Sequence, residues 1–277
     1  MIVPHSESNG FFKMLLQRLQ RALLDKGGAL PWANHRSPMP NQRLRLFPLN
    51  TVLFPGATLD LHVFEPRYKQ LIDECLQRHE PFGVVLIRDG NEAGNSSVIP
   101  HDVGTAAQIS HLTPLPFERY YVSTLGSERF RIERIVSREP YLTVEVEYLP
   151  DELLEPDRLR ALADDVRVVF ADYLQLLVAL CGSEANVDLP TDARGISYIV
   201  GGALQIGDTH KQRLLELTST KQRLTAELRL LRRLLPQLRT LLERRQQAAA
   251  RRLSEIPEDS GFRLHQEELF GKHFSLN

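Results

Sequence analysis

The sequence predicts an α+β protein: a small closed or nearly closed β-barrel with one inserted helix, followed by a C-terminal helical bundle. The hydrophobic period is two between Arg43 and Pro150 and 3.6 beyond it. Clusters of Gly, Pro and Asn cut the first stretch into about six or seven short apolar runs, the pattern of a small barrel. One Pro-initiated helical pattern, from Pro66, interrupts those runs. The expected organisation is an extension over 1–42, a barrel over 43–150, a helical bundle over 151–248 and a disordered polar tail over 249–277.

The strands follow from their alternation. Leu142, Val144, Val146 and Tyr148 alternate with Thr143, Glu145 and Glu147, and Phe130 and Ile132 with Arg129, Arg131 and Glu133. Paired, these segments set outward arginines against outward glutamates. Gly83 to Ile87 is a continuous apolar run, expected to be buried on both faces. Val103 to Ile109 and Tyr120 to Leu125 supply two more strands. In the inserted helix, Tyr68, Leu71, Ile72, Cys75, Leu76 and His79 form one apolar stripe. The helix is expected to cap one mouth of the barrel.

Beyond Pro150, the pattern from Leu159 to Val178 makes a long helix that ends at Gly182. A shorter segment covers Ala193 to Leu204. Thr209 with Gln212 and Ser219 with Gln222 fit the capping box, which predicts two further helix starts. In the last helix Leu224, Leu228, Leu231, Leu235, Leu238 and Leu242 form a heptad-like seam, which Pro236 should kink or end. Such a seam offers a homodimer contact.

Composition narrows the function classes. Over 277 residues, 42% apolar and 25% charged residues are ordinary for a globular protein, and a net charge of -1 argues against wholesale nucleic-acid or membrane binding. Cys75 and Cys181 are the only cysteines; both lie in apolar helical patterns and read as buried free thiols of a reducing, cytoplasmic setting. The extension carries Lys13, Arg18, Arg21, Lys26 and Arg36 against Glu7 and Asp25, a net +3, with Phe11, Phe12, Leu15, Leu16, Leu19 and Leu23 at helical spacing. A basic amphipathic helix of this kind suits a membrane surface, an organelle address or a partner. A loosely docked extension accounts for it more simply.

Several motifs are specific. They are Leu46-Phe47-Pro48-Leu49, Val52-Leu53-Phe54-Pro55-Gly56, Phe64-Glu65-Pro66-Arg67-Tyr68, Pro81-Phe82-Gly83-Val84-Val85, Val103-Gly104-Thr105-Ala106-Ala107, Arg129-Phe130-Arg131-Ile132 and Pro140-Tyr141-Leu142. In order and spacing the chain resembles the N-terminal, substrate-recognition domain of Lon proteases from about Arg43 to Leu238. The resemblance implies a PUA-like barrel, or pseudobarrel, that recognises unfolded or damaged polypeptide; cereblon carries a relative of it.

Catalytic machinery of that family is not legible here. The one Gly-Lys pair, Gly271-Lys272, is followed by His273 and has Gln266 where a P-loop needs glycine. No Gly-x-Ser-x-Gly elbow occurs, and no stretch remains for a Ser–Lys peptidase domain. The expectation is a free-standing, non-enzymatic recognition domain without catalytic residues or cofactors. His62, His79, His101 and His111 are scattered without metal-ligand spacing. Asp164 and Asp165 are adjacent on one helix and point apart.

The partner expected is an unfolded polypeptide or peptide segment, whose backbone pairs with a barrel rim or strand edge while aromatic residues take its side chains. Phe54, Phe64, Phe117 and Tyr120, in or beside loops, are the candidate peptide-binding residues. Glu65, Arg67 and Tyr68 read as structural: Glu65 for the free amides of the helix start, Arg67 for a local pair, Tyr68 for packing. Docking on a protease or another folded partner is one alternative. The other is RNA binding through the basic stretch from Ser219 to Arg252, which carries +8. That helix lacks aromatic stacking residues, which disfavours nucleic acid.

Overall fold

The computed structural model describes residues 42–90, 98–152, 156–181 and 189–254. The basic extension and the tail beyond Ser254 lie outside the described residues, as does the side chain of Cys181. Among the described residues there are seven strands: β1 (Gln42–Leu49), β2 (Thr58–Val63), β3 (Phe82–Asp89), β4 (Ile99–Pro100), β5 (Val103–Leu115), β6 (Arg119–Ser137) and β7 (Thr143–Tyr148). Helix α1 (Pro66–Arg78) interrupts them, and α2 (Pro156–Cys181), α3 (Ala193–Ala203), α4 (Asp208–Glu216) and α5 (Thr220–Ser254) follow.

The sheet runs β1–β7–β6–β5–β3, and a parallel pairing of β1 with β3 closes the ring. Its interior is filled by Leu44, Leu46, Val85, Ala106, Phe130, Leu142, Val144 and Val146, to which every ring strand or its flank contributes. The opposite faces of β1 and β3 carry Phe47, Phe82 and Val84, which pack in a second core with Tyr68, Leu71, Ile72 and Cys75 of α1. Residues one apart on a strand point to opposite faces, so β3 is buried on both, as expected. Helix α1 therefore covers a wall of the barrel and does not plug its mouth. Tyr68 stacks on Phe47 with ring centroids 4.1 Å apart.

The stripe on α1 is shorter than predicted. Leu76 is exposed, and His79 adopts a left-handed conformation (φ 54°) that ends the helix. Glu65 makes no side-chain cap; its carboxylate accepts from Arg67 Nε at 2.9 Å, and Arg67 lies over the Tyr68 ring. Cys75 is a free, buried thiol, pushed up to about 11 chiefly by burial.

Strand β6 is long because it serves two parts of the sheet. Its first part pairs with β2 and the end of β5, and its second part with β7 and the start of β5. A bulge in β6 at Ser127–Glu128 and one in β5 near Ser110 accompany the bend. On the outer face Arg134, brought there by a register shift after Ile132, grips Glu145 with two donors at 2.6 Å, and of the arginines expected to face glutamates Arg131 lies opposite Glu147. Arg129 departs from that pattern and is fully buried.

In the helical half, Leu224, Leu228, Leu231 and Leu235 of α5 pack in one core with Val166, Phe170 and Leu174 of α2 and Ile196 and Val200 of α3. Most of the seam is thus spent within the chain. Helix α5 continues through Pro236 to Ser254, so Pro236 does not end it and residues 249–254, assigned above to the tail, are helical. Ser219 precedes α5 at the predicted cap position. The other capping box does not form: α4 starts two residues early, after Gly207, and the side chain of Gln212 instead donates to the carbonyl of Val103 at 3.0 Å. That bond ties the helical half to the barrel.

Candidate peptide-binding surface

Outside the ring, β2, the first part of β6 and the end of β5 form a three-stranded arm. Register places His62 opposite Tyr121 and Val63 opposite Tyr120, with Tyr121 opposite Thr113. Strand alternation then puts His62, Phe64 and Tyr121 on one outward face. Phe64 is 58% exposed, and the His62 and Phe64 rings meet edge to face at 6.2 Å. At the tip of the β5–β6 hairpin Phe117 is 89% exposed and, like Glu118, has a positive φ (61° and 53°). Two left-handed residues in succession suit the right-handed twist of a tight hairpin. The tip is braced: Lys69 of α1 pairs with Glu118 at 3.1 Å, and Arg119 donates to the Pro116 carbonyl and lies over the Phe117 ring. Among the described residues, β2 pairs only with β6, which leaves its other edge without a strand partner.

Two of the four predicted contact residues lie on this surface, Phe64 and Phe117. Tyr120 does not. It faces inward, packs against the core beneath α1, and burial with the nearby charge of Asp73 raises its hydroxyl pKa. Its neighbour Tyr121 occupies the outward position, because one residue along a strand reverses the face. Phe54 is corrected more strongly. It is fully buried, with its ring against α3, where a Cβ on Gly201 would come within 2.6 Å of it. The Phe54-Pro55-Gly56 turn is as predicted, with Gly56 at φ 78°, but it aims the aromatic into the barrel–helix junction.

Beside that turn runs a groove of about 360 Å³. Val52, Pro55 and Ala57 of the β1–β2 connection form one side; Ile199 and Gly202 of α3, Ile206 and Lys211 form the other. Sequence reasoning missed it because its walls are far apart in the chain. Lys211 Nζ donates to the Gly202 carbonyl at 3.2 Å and closes one end.

A profile described as the ATP-dependent protease La (LON) substrate-binding domain matches residues 43–233. The chain belongs to this family. Lon protease 2 of Syntrophobacter fumaroxidans is 29% identical over 184 residues, covering 65% of this chain and 23% of that protein. Lon protease of Anaeromyxobacter dehalogenans is 26% identical over 193 residues. The chain thus spans about a quarter of the length of the curated relatives it matches. Among solved structures, a Lon N-terminal domain protein from Xanthomonas campestris superposes with a TM-score of 0.50 at 28% identity, covering 66% of this chain and 95% of that one. The N-terminal domain of the Mycobacterium avium complex Lon protease gives 0.55 at 18% identity, covering 69% and 98%, a likeness of fold.

In this Lon-type domain the barrel and the helices are joined by a buried ionic cluster. Arg129 of β6 donates to Asp151 Oδ1 at 2.6 Å and to the carbonyls of Leu215 and Leu217 at 2.7 Å each. Asp151 also accepts from Tyr198 at 2.7 Å and from Arg223 at 3.2 Å, with Arg194 3.4 Å away. Arg223 Nε donates to Ser197 Oγ at 2.7 Å, and that hydroxyl donates to Glu227 Oε1 at 3.0 Å. Complete burial pushes Glu227 up to about 8, against the pull of Arg223 and Ser197. Arg129, Asp151, Arg223 and Glu227 are buried, and the cluster positions the two halves. No helix among the described residues is long and apolar enough to cross a membrane, and no three potential metal ligands gather there.

Proposed function

We propose that this domain binds unfolded or damaged polypeptide without catalysis, in a cytoplasmic setting, and that the outward face bearing Phe64, Tyr121 and Phe117 is the contact surface. The carrying observation is Phe117, an aromatic side chain almost wholly in water on a left-handed backbone. It contributes nothing to the core, and a non-glycine residue in that conformation costs roughly 1–2 kcal/mol. The hairpin sets that backbone, and the large aromatic displayed on it is available to a partner outside the chain.

The geometry supports an extended client. The unpartnered edge of β2 offers backbone donors and acceptors next to the aromatic face, an arrangement suited to strand addition. Ordering a floppy chain offsets much of the contact energy, which makes the interaction weak and tolerant of sequence. Membership of the Lon substrate-binding family supports recognition of polypeptide in general.

The test is a titration of fluorescein-labelled, chemically unfolded casein against the unaltered chain and the Phe64→Ser/Phe117→Ser double variant. The expected result is a loss of about tenfold or more in affinity for the variant, with an unchanged melting temperature. Equal binding by both chains would remove this surface from consideration. A second reading, docking on a folded partner such as a protease, draws on Val168 of α2 and Leu241 of α5, both exposed on the helical half. Capture of one defined folded protein, undiminished by the aromatic substitutions, favours that reading.

A further inference from the structure

On another side of the barrel, a cleft of about 540 Å³ lies between the start of β1, the end of α1 and β7. Its lining carries Arg43, Arg45 and Arg78 against a single glutamate, Glu80. We propose that this cleft binds an extended peptide segment through a carboxylate, from an acidic side chain or a C-terminus.

The cations are not equivalent, and their differences make the site. Arg45 is a wall: it donates to Glu80 at 2.8 Å, to Glu74 at 3.1 Å and to the Tyr141 hydroxyl at 3.2 Å, while that hydroxyl donates to Glu74 at 2.7 Å. The glutamate of the lining is thereby committed. Arg78, on the last turn of α1, is exposed and forms no hydrogen bond or ion pair with another described residue. Arg43 is 68% exposed and approaches Glu145 only to 3.8 Å, while Arg134 holds that carboxylate at 2.6 Å. Two guanidinium groups therefore flank the cleft with donors to spare, and a guanidinium fork matches a carboxylate.

The backbone supplies the second half of the recognition. Pairing of β1 with β3 begins at Leu46, so from Gln42 to Arg45 the edge of β1 away from β7 has no strand partner among the described residues. An extended segment can pair along that edge while its carboxylate meets Arg43 and Arg78. This site is separate from the aromatic surface and does not depend on it.

The test uses three fluorescein-labelled hexapeptides of alternating Val and Thr: one with a central Glu and an amidated end, one neutral with a free C-terminal carboxylate, and one neutral and amidated. The unaltered chain is expected to bind one or both of the first two, which identifies the source of the carboxylate, and to bind the third at least about tenfold more weakly. The Arg43→Ala/Arg78→Ala variant is expected to lose that preference, and the Phe64→Ser/Phe117→Ser variant to keep it. Where the double arginine variant does not fold, Arg78→Glu, one surface change, serves and should turn the preference against the acidic peptide. Failure of the unaltered chain to bind either carboxylate peptide, equal binding of all three, or an undiminished preference in the arginine variants overturns the proposal. None of these outcomes bears on casein binding at the aromatic face.

Discussion

Arg129 and Asp151 form an ion pair at 2.6 Å with both side chains shut away from solvent, one on the last long strand of the barrel and the other at the entry to the helices. Asp151 is also the acceptor shared by Arg223 and Tyr198. The pair is thus the point on which the two halves of the domain are aligned.

Removal of the acceptor alone strands two buried guanidinium groups. Asp151→Ala is expected to cost about 3–5 kcal/mol, since breaking a buried pair leaves an uncompensated charge. Urea denaturation followed by circular dichroism checks this; a cost below about 1 kcal/mol would place the cluster in contact with water.

The neighbouring carboxyl makes stability depend on pH. Glu227 has its folded pKa raised to about 8 from 4.5, so the folded state binds the proton more tightly than the unfolded chain. The contribution of Glu227 to stability is therefore greatest below the unfolded value and falls as pH rises from about 4.5 towards 8. Glu227→Gln, a neutral isostere, is expected to flatten that slope and to stabilise the protein at pH 8 by on the order of 1–4 kcal/mol. Thermal melts across pH 5 to 8.5, in which the two proteins run parallel, would contradict this.

Phe54 belongs to the junction. Phe54→Ala is expected to destabilise by about 3–5 kcal/mol through the cavity it leaves. Gly201→Ala, which presses a methyl onto the same ring at 2.6 Å, should destabilise by about 1–3 kcal/mol. Casein affinity measured on the folded fraction should be unchanged in Phe54→Ala.

At Phe117 stability and binding should move in opposite directions. Phe117→Gly relieves the left-handed strain and is expected to add about 1 kcal/mol, while weakening the hold on unfolded casein. A parallel loss of both would mean that the aromatic packs on the protein itself.

Pro236 denies the carbonyl of Arg232 its intrahelical donor, yet α5 continues past it. Pro236→Ala, at an exposed position, should therefore raise stability by up to about 3 kcal/mol, read from the urea midpoint.

Local pattern made much of the fold legible. The alternation from Leu142 to Tyr148, the doubly buried Gly83–Ile87 run, the Phe-Pro-Gly turn and the change of period after Pro150 each depend on nearest neighbours in the chain. What escaped depends on tertiary placement. Arg129 sits where alternation points outward, but the helices cover that face. Tyr120 and Tyr121 are equally aromatic and adjacent, and only strand register separates them. Gln212 matched a capping pattern but is spent on the carbonyl of Val103. Phe54 was legible as part of a turn, while its burial required α3 and Gly201, which lie some 150 residues later. The exposure of Phe117 and Phe64 was legible because loops and strand ends can be placed from sequence even when strand faces cannot.

The ring closes by joining its earliest strand to its latest. Gln42 meets Val146 across roughly a hundred residues of intervening chain, so during synthesis Leu44 and Leu46 lack their full cover until β7 emerges. The barrel therefore passes through an open, incompletely covered state each time it is built.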